Sequence, residues 1–479
     1  MNMKPFEICL FAAAALILLG YCFKLRPREP WIPAIALSGT IMGVLHLLFE
    51  GARLQMIPLY AWFAGSALGC LVAMIRGSTL HPFVHAPLVR RITLGLAGAL
   101  AAAVALLIPL YLMPLVILEQ PTGPYGVGTA SYYWTDPTRS ETFTSDPADK
   151  RSIAVRIWYP AESQQDAERA PYAYPPEHIY QVSKSLPLEL RLLLDSISRT
   201  ETHAYLLAPV SREEGKYPVL LFSPGYGMSN FMYAAQTEQL ASHGYIVAAI
   251  EHPYYTMFPT LAPDGQVTEG QKDLGDAGFD WTAMESEMRT WVNDVNFAMN
   301  QLKRVNKEDP YGLLTGKLDL ERLGMYGHSF GGAAAAQVMH AYPESGILAG
   351  VNMDGFPFGE AITEGLPGPF LYMQTADSEQ FTSRELPDEV ATDPAEYGLA
   401  SAEQYKQVAK EMERRKTGLL RNNGIERTIA GADHMTFSDM GLYTPLLGRK
   451  DKMLMRSINS ELLAFFDRHV KNYNPALPS

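Results

Sequence analysis

Ser329 sits in Tyr326-Gly327-His328-Ser329-Phe330-Gly331-Gly332, where an apolar run gives way to an alanine-rich one. A strand that turns at once into a helix forces strained angles on the residue at the bend, so its neighbours must be small. Gly327, Gly331 and Gly332 are. Such a bend lifts the hydroxyl clear of the sheet, and the helix N-terminus favours negative charge developing there. A serine hydroxyl is a poor nucleophile unless a base and an oriented acid stand beside it. The chemistry on offer is therefore acyl transfer through a covalent intermediate.

On this kind of bend the chain order is serine, acid, histidine. After Ser329 the histidines are His340, His434 and His469. His340 falls in the helix after the bend and His469 in the polar terminal segment. His434, in "GADHMTF", closes the last predicted strand, where a loop histidine can reach back to the serine. Two aspartates suit the acid: Asp354 at the end of "GVNMDG" and Asp377 at the end of "LYMQTAD". Their positions alone leave both open. The tetrahedral intermediate needs two N–H donors. Phe330, next after the serine, supplies one. "LFSPGYGMSN" supplies the other through Tyr226, because Gly225 and Gly227 let the backbone turn inward.

Alternating elements must position these groups. "SIAVRIWYP" (152–160), "YPVLLFSPG" (217–225), "YIVAAIEHP" (245–253), "LGMYGHS" (323–329), "ILAGVNMDG" (347–355), "PFLYMQTAD" (369–377) and "ERTIAGADH" (426–434) read as short strands. Helical patterns separate them at 232–243, 284–302, 332–340 and 402–415. Strand–helix alternation predicts an α/β fold with a mainly parallel central sheet covered on both faces. "QPTGPYGVGTASYYWTD" before them reads as a linker leading into an edge strand.

The N-terminal region has another character. Four apolar stretches, 6–23, 32–49, 56–75 and 92–118, approach or exceed the ~18–20 residues that cross a bilayer as a helix. They predict four transmembrane helices preceding the α/β part. Domains follow as 1–118 (membrane), 119–150 (linker and first strand) and 151–479 (catalytic). Lys24, Arg26 and Arg28, then Arg76, Arg90 and Arg91, make the first and third connections the basic ones. Positive loops stay cytoplasmic, so the catalytic part is expected outside the cell membrane.

Net charge is −12 over 479 residues. Residues 1–118 hold eight basic and three acidic side chains, a balance of +5, which leaves −17 for the remainder. An acidic body of this kind repels phosphates and argues against a nucleic-acid partner. Cys9, Cys22 and Cys70 all lie in the apolar region, so the rest has no thiol nucleophile or disulfide framework.

Some signals stay ambiguous or fail. "LPLELRLLLDSI" (186–197) puts leucines on one helical face; such a helix packs on a core or dips into a bilayer surface. "GLLTGK" (312–317) is a residue short of a phosphate loop and reads as a turn. His252 in "EHPYY" has no second ligand at metal spacing, and the acidic run from Asp273 to Glu287 reads as a solvated face.

Taken together these segments resemble the plasma-type platelet-activating factor acetylhydrolases, serine esterases of the α/β-hydrolase fold. The resemblance runs from about Gly123 to His469. It is carried by "GPYGVG" with "VRIWYP", by "YPVLLFSPGYG", "ASHGYIVAAIEHPY", "GHSFGGA", "GVNMDGFPFG" and "GADHMTFSD". Pro224 stands where that family usually has histidine. The resemblance implies Asp354 rather than Asp377 as the acid. It also implies phospholipid or related ester substrates with short or oxidised acyl chains, and no cofactor or metal. Rival expectations are a broad esterase, a polyester hydrolase or acyltransferase using the same acyl-enzyme, and an idle receptor that keeps the fold.

Overall fold

The computed structural model describes residues 5–22, 31–51, 53, 56–75, 100, 103, 104, 106–108, 111, 116–162, 168–270, 281–382, 401–444 and 451–472. The chain divides into two compact units. One holds residues 1–117, 187–200 and 443–446; the other holds 118–186, 201–442 and 447–479.

The first unit contains α1 (Pro5–Cys22), α2 (Trp31–Phe49), α3 (Ile57–Ile75) and α4 (Leu188–Ile197). Leu10, Phe11, Ala14, Met56, Leu59 and Phe63 form its core. Beside that core lies a buried ionic cluster. Arg53 Nη1 donates to Glu7 Oε1 at 2.7 Å, with His46 Nε2 at 3.3 Å from the same oxygen. The leucine-rich helix, α4, belongs to this unit.

The four expected transmembrane helices are not supported: among the described residues no helix is long and apolar enough to cross a membrane. Helices of 18, 19 and 19 residues do lie over the first three apolar stretches. Each falls short of the about 20 consecutive residues that an untilted crossing takes. The fourth stretch lies mostly outside the described residues.

Among the described residues the second unit is built on ten strands in one sheet, in the order β12-β11-β10-β9-β5-β6-β2-β1-β4-β3. They are β1 (Gly126–Ser140), β2 (Lys150–Ala161), β3 (Arg169–Pro171), β4 (Glu201–Leu206), β5 (Tyr217–Ser223), β6 (Ile246–Glu251), β9 (Leu318–His328), β10 (Ile347–Met353), β11 (Phe370–Thr375) and β12 (Gly424–Ile429). The short strands β7 (Thr260–Leu261) and β8 (Val267–Thr268) pair apart from it. From β12 to β6 every neighbour is parallel; β2 runs antiparallel to both β6 and β1. Every residue of β5, β6 and β11 is buried, as in a parallel sheet covered on both faces. At the edge, β12 keeps Glu426 and Arg427 exposed, which blunts edge-to-edge pairing.

The first strand departs from expectation. Along Val127–Thr129, β1 is flanked by β2 and by β4, so it is internal there and edge-like only beyond. Gly128 lets the ring of its β2 partner Tyr159 lie across β1, because a methyl group there would overlap that ring.

The longer helices of this unit among the described residues are α5 (Ala234–Ser242), α6 (Trp281–Lys307), α7 (Phe330–Ala341), α8 (Ala376–Thr382), α9 (Ala402–Leu419) and α10 (Lys452–Phe466). In α6, Met288, Trp291, Val295, Met299 and Leu302 recur at three- and four-residue spacing and enter the main core. That core also takes Ala333–Ala336 of α7. Alanines let α7 lie close to the sheet and hold the bend at its N-terminus. The residues after β5, β6, β9, β10 and β11 emerge at the carboxyl edge of the parallel strands, where such sheets place their sites.

Candidate active site

Ser329 joins β9 to α7 with φ 53° and ψ −123°, in the region that non-glycine residues avoid. Its amide donates to Met353 O at 2.8 Å, and its carbonyl accepts from Gly332 and Ala333 amides at 2.9 and 3.1 Å. Close approach explains two of the glycines. A methyl group on Gly331 would overlap the Ser223 and Pro224 carbonyl oxygens, and one on Gly355 would overlap the Ser329 carbonyl oxygen. Phe330 is the first residue of α7, so its amide has no acceptor inside the helix.

Asp354 and His434 are brought together. Oδ2 of Asp354 lies 2.6 Å from Nδ1 of His434, and its Oδ1 accepts from the Thr375 amide at 2.7 Å. The carboxylate side chain is fully buried, whereas the imidazole is 42% exposed. Burial works to raise the Asp354 pKa. The hydrogen bond and charge of His434, with the Thr375 amide, outweigh it and hold the carboxyl below its usual range. Asp354 also has a left-handed φ of 57°, right after β10. Asp377 is exposed on α8 and makes no such contact. No hydrogen bond joins the Ser329 hydroxyl to His434 in this structure; unliganded hydrolases often close that bond only around substrate.

A contact that the sequence did not reveal fixes the histidine loop. His328 Nε2 lies 2.9 Å from His434 O, Tyr233 Oη lies 2.8 Å from His328 Nδ1, and the Gly225 amide donates to Tyr233 Oη at 3.0 Å. A carbonyl only accepts, so Nε2 of His328 carries the proton and Nδ1 accepts from the tyrosine hydroxyl. Burial, then the neighbouring His434, lowers the His328 pKa to about 3, so the ring stays neutral as this pattern requires. Three segments distant in sequence, 225, 328 and 434, are thus tied by one chain.

Tyr226 lies between Gly225 and Gly227, whose amides donate to Tyr233 Oη at 3.0 Å and to Tyr255 O at 2.7 Å. Its ring meets Phe330 edge-on, with centroids 5.7 Å apart. Phe358 and Phe356 continue this aromatic wall toward Phe381 and Tyr405. Glu287 reaches Tyr226 from α6, and burial raises its pKa. The structure therefore gathers the serine of the bend, a paired carboxylate and imidazole, the first amide of α7 and an apolar wall at one sheet edge. Such an assembly can activate a hydroxyl, stabilise an oxyanion and seat an acyl or aryl group.

Comparison with known proteins gives the same direction. Residues 113–266 and 286–462 match the family model for platelet-activating factor acetylhydrolase, isoform II. A platelet-activating factor acetylhydrolase from Cavia porcellus is 27% identical over 391 residues, covering 74% of this chain and 78% of that one. A probable 1-alkyl-2-acetylglycerophosphocholine esterase from Arthroderma benhamiae is 31% identical over 160 residues, 33% of this chain and 37% of that one. Among solved structures, a ferulic acid esterase from Streptomyces cinnamoneus superposes with a TM-score of 0.54 at 26% identity. It covers 76% of this chain and 96% of the esterase.

Proposed function

The chain belongs to the platelet-activating factor acetylhydrolase isoform II family of ester hydrolases, and from that premise we propose a mechanism and a substrate class. Ser329 is the nucleophile, His434 its base and Asp354 the orienting acid. As Ser329 Oγ attacks the ester carbonyl, His434 Nε2 takes its proton. The amides of Tyr226 and Phe330 stabilise the oxyanion. The imidazolium then gives its proton to the departing alcohol, leaving an acyl-serine. Water repeats the cycle in reverse, with His434 again as base, and releases the acid. Asp354 keeps the Nδ1 proton in place and stabilises the imidazolium charge.

The single observation that carries this reading is the 2.6 Å contact between Asp354 Oδ2 and His434 Nδ1 beside the strained elbow. The substrates proposed are phospholipids or related esters with short or oxidised acyl chains. Family membership supports them, and the aromatic wall beside Ser329 suits a short acyl group. The test is hydrolysis, by the full-length protein, of phosphatidylcholines carrying acetyl, oxidised or long sn-2 chains. Acetyl and oxidised chains are expected to turn over faster; equal or faster cleavage of the long chain overturns the substrate class. A second reading, an esterase for aromatic esters, is favoured by the ferulic acid esterase likeness together with Phe356 and Phe358. Faster turnover of a feruloyl ester than of any short-chain phospholipid would select it.

We propose further that the N-terminal unit attaches the enzyme to a lipid bilayer. Exposed Leu37, Ile41, Val44 and Leu48 on α2, and Leu68, Leu71 and Ile75 on α3, support this. So much apolar surface on one unit is unusual for a protein that meets only water. Carbonate extraction of membranes tests attachment, and release of the protein at high pH overturns it.

A further inference from the structure

A second hydroxyl, imidazole and carboxylate lie in line beneath the oxyanion loop. Ser223 Oγ is 3.0 Å from His252 Nε2, and His252 Nδ1 is 2.9 Å from Asp294 Oδ2. All three residues are fully buried. Asp294 also accepts from Arg139 Nη2 at 2.8 Å, Arg151 Nε at 3.2 Å and Arg151 Nη2 at 2.7 Å. Burial works against its charge. The Arg151 charge, and the hydrogen bonds from His252 and Arg151, overcome this and hold the carboxyl far below its usual range. Burial lowers the His252 pKa, and Trp291 stacks on its ring with centroids 4.0 Å apart. The proton arrangement follows. An ionised carboxylate accepts from Nδ1–H, the neutral ring leaves Nε2 as acceptor, and Ser223 donates to it. Ser223 cannot act as a nucleophile itself, because no part of it is open to a substrate.

Its place in the chain gives it another use. Ser223 ends β5, and the next residues are Pro224, Gly225 and Tyr226. The segment after β6 holds this loop at both ends. Ser223 is held through the His252 side chain, while Gly227 donates to Tyr255 O at 2.7 Å and accepts from the Met257 amide at 2.9 Å. The segment is itself fixed, since Tyr255 N donates to His252 O and Arg151 Nη1 donates to Pro253 O, both at 3.1 Å. Between these anchors the Gly225 amide donates to Tyr233 Oη at 3.0 Å and its carbonyl accepts from the Met228 amide at 2.9 Å, so the peptide that carries the Tyr226 N–H turns with the loop as one piece, and its direction follows where Ser223 is held. We propose that Ser223, His252 and Asp294 are positioning residues that set the direction of the Tyr226 amide toward the developing oxyanion. The proposal rests on Ser329 as nucleophile and the Tyr226 amide as a donor.

The experiment compares Ser223→Ala and Ser223→Cys with wild type in the full-length protein, using an aryl ester and its thiono analogue. Sulfur accepts weakly from amide donors, so the thionoester depends little on the direction of the Tyr226 amide. Ser223→Ala is expected to lower kcat on the oxygen ester about 10–100-fold, with KM within about twofold. The thionoester should lose much less. Ser223→Cys keeps the shape with a weaker donor and should show a smaller loss with the same ester selectivity. It also keeps the test decisive if Ser223→Ala fails to fold. Equal losses on both substrates, a change confined to KM, or unchanged kcat in folded Ser223→Cys and Ser223→Ala would each overturn the proposal. Ser329→Ala, run alongside, tests the underlying mechanism separately: full activity there overturns the nucleophile and leaves the Ser223 result without a reaction to tune.

Discussion

Replacing Asp354 by asparagine should cost this enzyme about three to four decades of kcat/KM. Oδ2 of Asp354 lies 2.6 Å from His434 Nδ1, which places the centres of a carboxylate and an imidazolium about 4 Å apart. With His434 partly open to solvent, an effective dielectric constant of about 20 is appropriate, and the attraction is about 4 kcal/mol. At 1.36 kcal/mol per decade that is about 10³ in rate. The local hydrogen bonds add to the loss. Thr375 N donates to Oδ1 at 2.7 Å, so the amide oxygen of an asparagine must stay there and its NH2 group must face His434. Nδ1 would then have to accept, which puts the ring proton on Nε2 and removes the base. The assay is p-nitrophenyl acetate hydrolysis by full-length variants, with Asp377→Asn alongside. Asp377 is exposed on α8, so its variant should stay within about twofold of wild type. An Asp354→Asn loss below tenfold, or a larger loss from Asp377→Asn, would refute the reasoning.

Gly331→Ala should abolish hydrolysis or prevent folding, because its methyl group must displace the carbonyls of Ser223, the last residue of β5, and of Pro224 after it; an active, normally melting variant contradicts this. His328→Ala removes the donor to His434 O and should lower kcat about 10–100-fold with KM little changed, read from Michaelis curves. Asp439 is a fully buried acid whose pKa burial raises to about 8, despite the Tyr172 hydroxyl at 3.0 Å. Its folded pKa exceeds its unfolded one, so the stability it contributes is complete below about pH 4 and is lost as pH rises toward 8. Asp439→Asn should therefore melt higher than wild type at pH 9, with a smaller difference at pH 6; the opposite trend in thermal melts would contradict the assignment.

Much of the parallel core was legible because its strands are short apolar runs bounded by turn residues. Strands 217–225, 245–253 and 347–355 were read two residues long at their C-termini, where backbone leaves the sheet to build the site. The left half was less legible. β3 and β4 are short and partly exposed, and the pairing of β1 with β4 spans only Val127–Thr129, which leaves little periodic signal. At the site, Ser329 and His434 stood out by local motif, while Asp354 and Asp377 differ only in which strand-end loop faces His434, a tertiary fact. The same limit hid His252. Its partners Ser223 and Asp294 are 29 and 42 residues away, on a strand end and in mid-helix, and no local pattern joins them.

The central claim is that the hydroxyl of Ser329 forms the covalent intermediate. Treating the intact protein with a fluorophosphonate and mapping the adduct by peptide mass spectrometry tests it directly. The expected result is stoichiometric labelling of the peptide containing Ser329, in step with loss of esterase activity, and no labelling of Ser329→Ala. Loss of activity with the label on another residue, or Ser329→Ala that still hydrolyses p-nitrophenyl acetate at the wild-type rate, would contradict it.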